Sequence, residues 1–143
     1  MSTGSGEFPT EGVILSHLLV VVDLDRSVAF YRDVLGARLE RVYGGSTGVL
    51  EFAGSWILLT TAGEPTADKP DVAFVPPSTT DANRVSHEFT IRVPDCQAAY
   101  DVLLERGAVF LTPPHDWGYE TRCFFRDPDG NLLEISSIPD RAG

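Results

Sequence analysis

Three side chains in this 143-residue chain are of the types that hold a divalent metal. His17 interrupts the apolar run "ILSHLLVVVDL", His87 opens "SHEFTIRVPD", and Glu134 lies inside "NLLEISS". An unpaired polar group is costly to bury, so one isolated histidine in such a run reads as a core residue bonded to a nearby carbonyl. Two histidines at corresponding places read differently. The spacing from His17 to Asp25 equals that from His87 to Asp95, and each aspartate precedes a helical pattern. Two imidazoles and one carboxylate leave coordination positions open on a metal, and Fe, Mn, Zn, Ni or Co suits such a set. His115, in "TPPHDWGYE", is either an exposed loop residue or an acid–base group, since histidine titrates near neutral pH. Trp56, Trp117, Tyr119 and Phe110 are candidates to wall an apolar pocket.

These groups need a frame that brings them together, and the chain repeats one. "DRSVAFYRDVLG", from Asp25 to Gly36, and "DCQAAYDVLLERG", from Asp95 to Gly107, read as helices with aspartate at the start and glycine past the end. Short strand-like runs follow each: "ARLERVY", "TGVLEFAG" and "SWILLTT", then "AVFLT", "YETRCFFR" and "NLLEISS". Each half therefore reads β-α-β-β-β. The expected division is a lead-in at 1–12, a first module at 13–63, a Pro- and Asp-rich linker at 64–84, a second module at 85–138, and a tail at 139–143, within one domain. Gly54 and Gly130 hold corresponding places, so Leu58 corresponds to Glu134. If the modules pack about a pseudo-twofold axis, equivalent residues converge on one cavity.

The formal net charge of −10 argues against nucleic acid and anionic membrane surfaces, which call for a basic face. A small ligand or a protein partner fits better. No apolar run approaches the ~20 residues of a membrane span. "MSTGSGEFPT" lacks the features of a secretory signal. Two cysteines, Cys96 and Cys123, make no disulfide framework and read as packing residues in a reducing, cytoplasmic setting.

"SHLLVVVDLDRSVAFYRDVLG", "SHEFTIRVPD" and "RDPDGNLLEI" resemble the vicinal oxygen chelate superfamily over about Val13 to Ser137. That superfamily includes glyoxalase I, extradiol dioxygenases, fosfomycin-resistance thiol transferases and bleomycin-resistance proteins. The resemblance implies an α+β fold: two βαβββ modules forming a curved, half-open mixed sheet around a metal cavity. Residue by residue, His17, His87 and Glu134 match the ligand positions, with Glu134 also catalytic. Leu58 departs from the pattern, because glyoxalase I carries a carboxylate or amide ligand at that place. A set of three ligands is similar to that of the small dioxygenases and thiol transferases. The dioxygenase pattern expects a histidine, which His115 matches, and then an aromatic hydroxyl where Phe124 stands; Tyr119 is a neighbouring substitute. The resemblance thus implies a divalent-metal-dependent enzyme, a lyase/isomerase or a dioxygenase, acting on a small oxygenated molecule that chelates the metal through two adjacent oxygens, where the cation would stabilise developing negative charge. His115 and Tyr119 would assist catalysis, and Trp56, Leu58, Trp117 and Phe124 would line the pocket. A homodimer, with metal sites within one chain or shared between chains, is also implied. The alternative is a metal-free drug- or metabolite-binding protein of the bleomycin-resistance type.

Overall fold

A computed structural model describes residues 6–8 and 10–139. Half of the expected lead-in (1–5 and 9) and the end of the expected tail (140–143) lie outside the described residues. The first half contains β1 (Ser16–Val21), α1 (Leu24–Ala29), β2 (Arg38–Tyr43), β3 (Thr47–Phe52) and β4 (Ser55–Thr61). The second contains β5 (Glu88–Arg92), α2 (Cys96–Glu105), β6 (His115–Asp116), β7 (Thr121–Arg126) and β8 (Leu132–Ser137). The sheets have the same order, β1-β4-β3-β2 and β5-β8-β7-β6. In each, the first and last strands of the module run parallel and the other pairs antiparallel. The fold is α+β, two βαβββ modules in one chain. No helix among the described residues is long and apolar enough to cross a membrane.

Two local expectations need correction. The first helix is capped by Asp23, not Asp25: the Asp23 carboxylate accepts from the Arg26 N–H at 3.1 Å. Asp25 sits in the first turn, where an acid complements the helix dipole. After Ala29 the helix widens to π-helical hydrogen bonding over Phe30–Leu35 and stops at Gly36, whose φ of 94° suits glycine. Second, "AVFLT" makes only one isolated bridge, Phe110 to Phe125. The strand in that place, β6, is two residues long and includes His115.

Alternation along the strands selects the buried faces. Leu19 and Val21 on β1, Leu50 on β3, and Ile57 and Leu59 on β4 join Leu24, Val28, Tyr31 and Leu35 of the helical segment. Cys123 and Phe125 on β7 and Leu133 and Ile135 on β8 join Cys96 and Leu103 of α2. Together these make one continuous core across both modules.

The motif "DPDG" ties the modules together. Asp127 is buried and accepts the Tyr31 hydroxyl at 2.7 Å, the Asn131 amide at 2.9 Å, and the backbone N–H groups of Asp129 and Asn131. Asp129 reaches back to the first module, accepting from Val22 N–H at 3.0 Å, Ser27 Oγ at 3.2 Å and Arg26 at 3.3 Å. Burial, and then the nearby Asp127, hold the Tyr31 phenol protonated well above its ordinary range, so it remains a donor. The motif is architectural in this chain.

Candidate functional site

Counting back from the true helix caps, Asp23 and Asp95, changes which residues are equivalent. Ser16 corresponds to Glu88, and His17 corresponds to Phe89. One residue of register moves a side chain to the other face of a sheet. His17 pairs in register with the buried Ile57, so it shares the core-side face of the first sheet. Its ring meets Phe89 at 4.6 Å between centroids and His87 at 5.2 Å. The structure therefore brings the two histidines together, at the seam where the core-side faces of β1 and β5 approach. Burial, and then the neighbouring His87, lower the pKa of His17 and favour its neutral form.

Glu134 stands elsewhere. It pairs with Thr90 on β5 and with Phe124 on β7, whereas Phe89 pairs with the fully buried Leu133. Glu134 thus lies on the face of the second sheet turned away from the core, opposite the face that carries Phe89. Among the described residues, no group of three or more His, Cys, Asp or Glu side chains comes together to hold a metal ion. The set of His17, His87 and Glu134 expected from sequence is not assembled. The physical reason is the one-residue register difference between each histidine and the outward position beside it, occupied by Ser16 and Glu88. The donors on Glu134's face do not match a two-imidazole metal site.

What that face holds instead is a carboxyl pair. Glu134 is 7% exposed and hydrogen-bonded to Glu88, whose own carboxylate accepts the Thr90 hydroxyl at 2.8 Å. Burial chiefly, and then the Glu88 hydrogen bond and charge, push the Glu134 carboxyl up to about 7. Arg122 works the other way. Its guanidinium pairs with Glu120 at 3.3 Å and lies over the Trp117 and Phe124 rings at 5.4 and 5.9 Å.

The remaining expected residues divide between the two sheets. Leu58 pairs with Leu18 as Glu134 pairs with Thr90, so its equivalence to Glu134 holds in register. Trp56 lines a cleft of about 400 Å³ with Ser16, Phe52 and His17. β5 lines the same cleft through Phe89, Thr90, Ile91 and Arg92, with Leu133 of β8 beside them, whereas Glu88 and Glu134 do not line it. His87 lines a second cleft, of about 440 Å³, between β1 and the linker. His115 is exposed and its ring packs at a tilt against Trp117, 4.3 Å between centroids. Tyr119 is exposed at the same hairpin, and Phe124 lies beside Glu134 in register. Sequence reasoning missed Glu88, Thr90, Arg122 and Ser136. The signal was present, because "EFTIR" alternates polar Glu88, Thr90 and Arg92 with apolar Phe89 and Ile91.

A raised carboxyl has a stability signature. Below about 4.5 Glu134 is protonated whether folded or unfolded. Between about 4.5 and about 7 the unfolded chain releases the proton while the folded one retains it, so stability falls with rising pH. Above that window the loss is complete. Thermal melts of the wild type and Glu134→Gln at pH 5 and pH 8 should show the variant gaining relative stability at the higher pH. Equal differences at both would contradict the shift.

The family model described as Glyoxalase/Bleomycin resistance protein/Dioxygenase superfamily matches residues 14–135. A metallothiol transferase FosB of Lysinibacillus sphaericus is 30% identical over 131 residues, covering 89% of this chain and 85% of that protein. The FosB of Shouchella clausii is 31% identical over 126 residues, covering 85% and 77%. Among solved structures, a glyoxalase/bleomycin resistance protein/dioxygenase from Nocardioides superposes with a TM-score of 0.72 at 24% identity, covering 94% of this chain and 88% of that one.

Proposed function

We propose, because this chain belongs to the Glyoxalase/Bleomycin resistance protein/Dioxygenase superfamily, that it is an enzyme moving a proton on a small oxygenated molecule, as a lyase or isomerase does. The observation that carries this reading is the Glu88–Glu134 carboxyl pair, on the face of the second sheet turned away from the core. A carboxyl near neutrality is well matched to accept a proton from carbon and return it. Thr90 fixes Glu88, and Glu88 in turn holds Glu134. Arg122 supplies positive charge where an oxygen becomes negative. The name metallothiol transferase, borne by relatives at about 30% identity, favours an enzyme over a protein that only sequesters its ligand. The metal in that name is a property of those proteins. Here the outward positions hold Ser16 and Glu88 rather than imidazoles.

The matching face of the first sheet is an apolar wall, with Leu18, Trp56 and Leu58 on it. In a homodimer, that wall from one chain would close over Glu134 of the other and exclude water from the proton transfer. The buried Cys96 and Cys123 thiols, 3.8 Å apart and not joined as a disulfide, are consistent with a reducing compartment such as the cytoplasm.

The test is solvent exchange. Small hydroxy- and keto-carbonyl compounds are incubated with the protein in D2O, and loss of the proton signal on the carbon beside the carbonyl is followed by NMR. Exchange that requires Glu134 supports the reading, and exchange that persists undiminished in Glu134→Gln overturns it.

A further inference from the structure

We propose that Arg92, Ser136, Arg122 and His115 form a subsite for an oxyanion, a carboxylate or a phosphate, one row along the sheet from Glu134. Strand register places all four in a single line. Arg92 on β5 pairs with Ser136 on β8, Ser136 with Arg122 on β7, and Arg122 with His115 on β6. Paired residues share a face, so this row lies on the same side as Glu134. Every member can donate a hydrogen bond, and two carry a fixed positive charge.

The observation that points to a ligand is Ser136. The residue is fully buried, and among the described residues its Oγ is the one buried side-chain oxygen or nitrogen without a hydrogen-bond partner. Buried polar groups are paired with few exceptions, and an exception calls for a reason. A hydroxyl between two guanidinium-bearing positions is explained if an anionic oxygen completes it. Arg122 is already oriented for that role by the Trp117 and Phe124 rings. Its contact with Glu120 engages Nη1 and leaves further N–H donors of the fork available. Anion binding also fits a chain of net charge −10 only where donors are concentrated, as they are in this row.

The neighbouring row, Thr90–Glu134–Phe124, is two residues along the strands. That step is about 7 Å, enough for an anionic head in one row and a reacting carbon one or two bonds away at Glu134. The substrate class is a small hydroxy or keto acid, or the phosphate ester of a small oxygenated molecule. The assignment of the reacting carbon rests on the proton-transfer reading above; the anion subsite stands without it.

Calorimetric titration with inorganic phosphate, and separately with acetate, tests the subsite at low salt. The expected result is saturable binding of at least one anion with a dissociation constant below about 10 mM, and the tighter of the two identifies the source of the oxyanion. Arg122→Gln should weaken it at least about 10-fold. Ser136→Ala should weaken it about 3- to 10-fold while leaving the melting temperature unchanged or higher, because an unpartnered hydroxyl is removed. Glu134→Gln should still bind the anion, so anion binding without proton exchange refutes the proton-transfer reading alone. The subsite is overturned if neither anion binds saturably up to about 50 mM. It is equally overturned if binding is undiminished in both Arg122→Gln and Ser136→Ala, which would mark an adventitious ion only. Ser136→Ala that lowers the melting temperature without weakening binding would show that the serine is structural.

Discussion

Glu134→Gln is expected to lower the rate of proton exchange about 100- to 10,000-fold, the usual contribution of a positioned acid–base group. Glutamine keeps the shape and can still hydrogen-bond Glu88, so the protein should fold. It cannot take up a proton. His17→Ala and His87→Ala should each leave the rate within a few-fold of the wild type, because both rings lie at the seam of β1 and β5 and not on Glu134's face. Glu88→Gln should shift the pH profile to lower pH rather than abolish activity, since it removes one cause of the raised Glu134 carboxyl. Rate–pH profiles of the four variants on one exchanging compound would check the set.

Asp127→Ala is expected to be the most destabilising single change, by about 3–5 kcal/mol. One substitution strands the buried Tyr31 hydroxyl, the Asn131 amide and two backbone N–H groups. For a chain of this size such a loss corresponds to a fall in melting temperature of about 10 °C or more. Tyr31→Phe removes only one of these bonds and should cost about 1–2 kcal/mol. Thermal melts of both would show the difference, and an Asp127→Ala protein that melts with the wild type would remove the clamp from the account.

Much of the architecture was legible because it is local. Asp95 before α2, Gly36 after the first helical segment and the alternation of "SWILLTT" are read from neighbours in sequence. The repeat of β-α-β-β-β and the equivalence of Leu58 with Glu134 followed from the same signals. The site was harder because it depends on which face each strand presents. Aligning the halves on the two histidines put Asp25 against Asp95, whereas the caps are Asp23 and Asp95, and that slip is enough to turn an inward side chain outward. His17 and Phe89 are the equivalent pair, and they pack against each other at 4.6 Å. Ser136 was invisible in sequence for another reason: an unpartnered hydroxyl is a property of its surroundings, not of "NLLEISS".

Titration of the Glu134 carboxyl tests whether the chemistry of this chain is centred on the Glu88–Glu134 pair. Protein labelled with 13C in the glutamate carboxyl carbons, with the resonance assigned by its absence in Glu134→Gln, gives the midpoint without any substrate. The midpoint is expected at about 7 in the wild type, falling when Glu88 is replaced by glutamine. A Glu134 that titrates in the ordinary carboxylate range, with no response to Glu88→Gln, would contradict it.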